Sequence, residues 1–139
     1  MYYMSQCCES SQRTATTVNC EFPCPGLTRD GRGDQKKIDF DATGHGLRLA
    51  IEVKWARSRR LNVKEDYTKL TSYYTHIRRS RCFLCVFGRK SHIQNIILKN
   101  GSFSERGKVV YADFGVTKYG CRMFELKALT LESRLLAHP

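Results

Sequence analysis

The chain has 139 residues, with 24 Lys and Arg against 13 Asp and Glu, a formal net charge of +11, and 41% hydrophobic residues. That length fits one domain with one apolar core, and that hydrophobic content excludes a disordered chain. No apolar run approaches the ~18 residues of a membrane span, so a membrane protein is not expected.

Taken in chain order, residues 1–15 are polar and weakly patterned, and are expected to be a flexible or poorly ordered N-terminal arm of a single domain spanning 1–139. They lack a basic start followed by an apolar stretch, so no secretory signal is read and the expected location is intracellular, in the cytoplasm. Thr16–Phe22 is rich in β-branched residues and predicts a first strand. Pro23–Asp34 holds turn signals. Lys37–Asp41 and Leu47–Trp55 read as two strands of a hairpin, because Gly44 and Gly46 supply the turn between them. His45 sits at the tip as an exposed turn residue.

Asn62–Arg79 predicts a helix. Asn62 and Glu65 have the spacing of a capping box, and Val63, Tyr67, Leu70, Tyr74 and Ile77 line one apolar face. Asp66, Lys69, Tyr73 and His76 fall on a neighbouring face. Cys82–Phe87 then reads as a central strand, and a strand–helix–strand order makes it parallel to the strand before the helix. Ser91 begins a short helix with Ile93, Ile96 and Ile97 inward. Lys108–Phe114 and Cys121–Leu126 predict two more strands, and Thr130–Ala137 a terminal helix. The fold class is α/β (α+β), with one mixed central sheet flanked by helices.

Seven cysteines, an odd number, argue against a secreted disulfide framework. Cys82 and Cys85 have a zinc-compatible spacing, but three positions apart on a strand their thiols diverge, so they read as small core residues. Trp55 is also read as a core residue. The charge is uneven. Residues 54–90 hold eleven basic and two acidic side chains, a net +9. Such a cluster suits phosphate neutralisation, and points to nucleic acid as a partner rather than a membrane surface.

The hairpin strands carry charge on alternate positions. Asp39 and Asp41 share one face of the first, Glu52 and Lys54 one face of the second, with Ile38, Phe40, Ile51 and Val53 opposite. Charges on a largely apolar strand pair must be ion-paired, solvated or metal-bound. Two carboxylates and an ammonium suit a Mg²⁺-dependent phosphodiester hydrolase. A cross-strand salt bridge on an exposed face is the plainer alternative.

An Asp-bearing strand, a Gly-rich turn, Ile51-Glu52-Val53-Lys54, a helix and Cys82-Phe-Leu-Cys-Val-Phe87, over residues 36–90, resembles the PD-(D/E)xK nuclease superfamily. That resemblance implies a restriction-endonuclease-like αβββαβ core and a nuclease that cleaves DNA with Mg²⁺, for which Mn²⁺ can substitute. It implies Asp39, Glu52 and the Val53 carbonyl as metal ligands and Lys54 as the catalytic lysine. Asp41 competes with Asp39 for the ligand role, and Asp66 and Lys69 are supporting candidates. Arg57, Arg59, Arg60, Lys64, Arg78, Arg79 and Arg81 are candidates for nucleic-acid binding. Cutting both strands of a duplex would fit a homodimer. The alternative is an inactive nuclease-like domain that binds nucleic acid or a protein partner, since no acidic residue of a helix precedes the first strand in a convincing pattern.

Overall fold

The computed structural model describes residues 16–27, 35–98 and 100–128. The expected N-terminal arm and the terminal helix at 130–137 lie outside the described residues.

Six strands form one mixed sheet: β1 (Thr17–Pro23), β2 (Lys37–Gly44), β3 (Leu47–Ala56), β4 (Ser80–Arg89), β5 (Phe103–Phe114) and β6 (Thr117–Leu126). Their spatial order is β1-β2-β3-β4-β6-β5. β1, β2 and β3 are antiparallel neighbours, whereas β3 and β4 run parallel, joined by helix α1 (Lys64–His76). The parallel pairing follows from the crossover: the chain must travel back along a helix before it can lie beside β3 in the same direction. A short helix α2 (Lys90–Ile93) leads from β4 towards the β5–β6 hairpin. Both hairpins turn on residues with positive φ, His45 and Gly46 in the first and Gly115 in the second.

The core lies between the sheet and α1. Leu70 and Tyr73 of α1 are fully buried against Ile38, Ala50, Cys82, Leu84 and Val86 of β2, β3 and β4. α1 is shorter than the 62–79 read from the sequence. Asn62 still accepts the Lys64 N–H at 3.1 Å, but Glu65 turns away to pair with Lys36 at 2.5 Å, so the capping box is not made. α2 packs on the same face as α1, since Ile93 lies against Gly88 of β4 and Gly120 of β6. A methyl at Gly120 would sit 3.0 Å from Ile93, so the close approach of α2 depends on this glycine.

Three more expectations need correction. Helices were expected on both faces of the sheet, but among the described residues both helices cover one face. On the other, Val53, Trp55, Phe87 and Met123 are all more than a third exposed. Trp55, expected in the core, is 53% exposed and lies against Tyr119 at 5.7 Å between ring centroids. Its register explains this: Ala56 and Lys54 point toward the helical face, so Trp55 between them cannot. Ile97, expected inward, is 75% exposed, because the helix ends at Ile93 before the apolar period brings it round. Among the described residues no helix is long and apolar enough to cross a membrane.

The candidate site at a fork in the sheet

β2 pairs with β1 between Lys37 and Thr43 but with β3 only as far as Phe40 opposite Ile51. Beyond that point the two strands part, while β3 stays paired with β4 out to Ala56. The fork leaves backbone N–H groups without ladder partners, and buried donors of that kind must be satisfied. Two carboxylates do so. Val53 N–H donates to Asp39 Oδ2 at 2.7 Å, and Asp39 N–H donates to Glu52 Oε1 at 3.2 Å. The same carboxylates that the alternation pattern singled out therefore meet at the fork, one on each prong.

α1 supplies the remaining groups. Lys69 donates to Glu52 Oε2 at 2.6 Å and to the Lys37 carbonyl at 3.0 Å, so it bridges both prongs. Lys54 donates to Asp66 Oδ2 at 2.6 Å. Asp66 and Lys69 are three apart on the helix and so share a face. Glu52 is 2% exposed, and burial raises its pKa to about 7, with the charge of Asp39 adding to the rise and Lys69 holding it back. Burial works against the charge of Lys69, but its hydrogen bond to Glu52 prevails and its pKa is raised. Cys24 sits beneath the site, fully buried, its thiol directed at the Lys69 carbonyl at 3.4 Å. Burial and the nearby Glu52 push that thiol up to about 11. Cys82 and Cys85 are likewise buried and free, and burial raises both thiols.

Asp41 lies on the same strand as Asp39 but serves a different cluster. It is 1% exposed and accepts hydrogen bonds from Tyr73 Oη, from Arg48 at 2.6 Å and from Asn19 at 3.2 Å. Burial alone would raise its pKa. The donors overcome that, and the carboxyl is held below its ordinary value. Arg48 in turn lies over the rings of Phe22 and Tyr73, at 5.3 and 5.6 Å. Every oxygen of Asp41 is thus directed into the fold. Arg48 was not singled out from the sequence, whereas Tyr73 was placed on the helix face that carries Asp66 and Lys69.

The basic candidates separate into two groups. Arg57, Arg59, Arg60 and Lys64 occupy the segment from the end of β3 to the start of α1, beside the fork, and all are exposed. Arg78 and Arg79 follow the far end of α1, about 20 Å away at ~1.5 Å per helical residue. Arg81 is taken up by a bidentate pairing with Glu125, at 2.7 and 2.9 Å. The basic cluster of residues 54–90 is therefore split by the length of the helix.

Could a divalent cation fit here? Among the described residues no group of three or more His, Cys, Asp or Glu is arranged to hold a metal ion. Mg²⁺ does not require one, since it is commonly held by one or two carboxylates with water and substrate oxygens. Asp39 has one oxygen unengaged by Val53, and Glu52 could offer Oε2 if Lys69 withdrew. The donor set is hard oxygen and suits Mg²⁺ or Mn²⁺ rather than zinc. Comparison with known proteins finds no matching family model, no matching curated protein and no matching solved structure.

Proposed function

We propose that the protein is a Mg²⁺-dependent nuclease of the PD-(D/E)xK type, acting on phosphodiester bonds in DNA, with its site at the β2–β3 fork. The observation that carries this reading is the meeting of Asp39 and Glu52 across the fork, with Lys54 two residues further along β3. The order β1-β2-β3-α1-β4, with β3 and β4 parallel, supports it by matching the βββαβ portion of the restriction-endonuclease-like core. The opening helix of that core has no counterpart among the described residues.

Asp39, Glu52 and the Val53 carbonyl would hold the cation, which when bound polarises a phosphoryl oxygen and acidifies water. Each remaining task falls to this chain's own side chains. Lys54 is a partly exposed ammonium, 29% accessible, oriented by Asp66. It would stabilise negative charge developing on the phosphate, in a setting where a fixed charge need not reorganise. Lys69 neutralises Glu52 until the site is filled, and its release would give a second cation to the phosphodiester. Arg57 and its neighbours would hold the flanking backbone.

The test is cleavage of supercoiled plasmid and of a single-stranded oligonucleotide with Mg²⁺, comparing the parent with Glu52→Ala and Lys54→Ala. Loss of cleavage in both variants is expected. Activity that survives both would end the assignment. A second reading, a binding domain without catalysis, is favoured by one observation: Lys54 and Lys69 are each already engaged by a carboxylate. It predicts salt-sensitive DNA binding, no metal-dependent product, and no heat of Mg²⁺ or Mn²⁺ binding at millimolar concentration.

A further inference from the structure

The segment from β3 to α1 and the segment after α2 line a groove of about 890 Å³. Its two walls are tied by a parallel backbone bridge between Arg60 and Ile97, so its shape is part of the fold. Arg59, Arg60 and Lys64 line it, and among the described residues no carboxylate does. Unlike Lys54 and Lys69, none of these three has an ion-pair partner among the described residues. Asn62 and Asn100, also in the lining, each spend the side-chain oxygen on a local N–H, of Lys64 and Ser102. Their amide nitrogens are left without a protein acceptor among the described residues. Tyr67 and the 75% exposed Ile97 add apolar surface to the lining.

Uncompensated cations, spare amide donors and apolar side chains in one groove are complementary to one ligand chemistry. Phosphates match the cations, base-edge acceptors match the amides, and the flat face of a base matches Tyr67 and Ile97. A duplex hides its base faces in the stack, whereas a single strand can turn one out. We infer that this groove binds a single-stranded polynucleotide, with its phosphates on Arg59, Arg60 and Lys64 and one unstacked base seated against Tyr67 and Ile97. Lys64 and Lys69 stand five residues apart on α1, roughly 7.5 Å along its axis. The inference deepens the nuclease reading: the strand bound in the groove would be the one presented to the fork.

The experiment is fluorescence anisotropy of the full chain, with a chelator present, against a labelled single-stranded DNA, its duplex, and the same strand carrying one abasic site. Single-stranded DNA should bind at least 10-fold more tightly than duplex, and Ile97→Asp, at an exposed position, should remove most of that preference. Some abasic positions should weaken binding about 5-fold or more, the loss expected when one base loses its stacking partner. Replacing Arg59 and Arg60 together with Ala should lower the salt slope by about 1.4, since each single-strand phosphate contact contributes ~0.7. Circular dichroism checks the fold of each variant, and the abasic series needs no variant. Equal or tighter duplex binding overturns the inference. So does an Ile97→Asp protein or an abasic series that binds like the unaltered pair, or an acidic peptide that competes as well as the oligonucleotide. The nuclease reading stands or falls separately, on cleavage by Glu52→Ala and Lys54→Ala, so failure of either is recognisable without the other.

Discussion

Asp39 and Asp41 are two residues apart on β2, and the two carboxylates should answer substitution in opposite ways. Asp41→Ala removes the acceptor for three donors. Tyr73 is fully buried, and an unsatisfied hydroxyl there costs about 1–3 kcal/mol. Arg48 loses its only carboxylate partner among the described residues; its side chain keeps 28% exposure, so the loss falls below the ~3–5 kcal/mol of a fully buried broken pair. Together these predict a destabilisation of about 3 kcal/mol, a large share of the ~5–15 kcal/mol that holds a domain of this size together. The depressed pKa of Asp41 sets the pH window. Its contribution is complete above the unfolded value of 3.8 and is lost as pH falls through the lower folded value. Asp39→Ala removes one hydrogen bond to Val53 N–H but also relieves repulsion with Glu52, so its net cost should stay under about 1 kcal/mol. Urea unfolding at pH 7 measures both, and plasmid cleavage per folded molecule measures the other half. Asp41→Ala should keep its cleavage, and Asp39→Ala should lose it. If Asp41→Ala costs less than 1 kcal/mol, or if it rather than Asp39→Ala abolishes cleavage, the division of labour argued here is wrong.

Glu52 provides a pH test. Its folded pKa, about 7, lies above the ordinary 4.5, so the folded state holds the proton more tightly and stability falls as pH rises between those values. Without metal, the parent should lose about 3 kcal/mol relative to Glu52→Gln between pH 4.5 and pH 8 at ~1.4 kcal/mol per unit, read from urea midpoints across the series. Parallel pH profiles would contradict it. Mg²⁺ should oppose the same loss. At ten times a millimolar dissociation constant it would add about 1.4 kcal/mol at pH 8 in the parent, and nothing in Glu52→Gln, as a thermal shift would report.

Much of the fold was legible along the chain because the determining signals are local. β-Branched and apolar runs marked six strands, the 3–4 spacing marked α1, and Gly44 and Gly46 marked the first hairpin. The parallel β3–β4 pairing followed from the order of elements and the handedness of crossovers. Element ends were less visible. α1 stops at His76 and β5 begins at Phe103, rather than at Arg79 and Lys108, since a local pattern leaves element ends loosely defined.

At the candidate site, the sequence by itself picked out the charged side chains Asp39, Asp41, Glu52 and Lys54, although the alternation that set Ile38 on the opposite face does not hold, since Ile38 is fully buried in the core beside α1. The sequence could not divide Asp39 from Asp41, since strand period treats them alike. Tertiary structure decided that. The β2–β3 ladder ends at Phe40, so Asp39 stands in the fork beside Glu52, while Asp41 remains in the paired sheet beneath Tyr73. Likewise the +9 of residues 54–90 is a property of the chain, but its division is a property of the fold. The rigid length of α1 sets Arg78 and Arg79 apart from the fork. Glu125 of a distant strand takes up Arg81, leaving Arg57, Arg59, Arg60 and Lys64 beside the carboxylates. Charge is counted along the chain, whereas the field a ligand meets depends on which charges the fold brings together and which it has already neutralised.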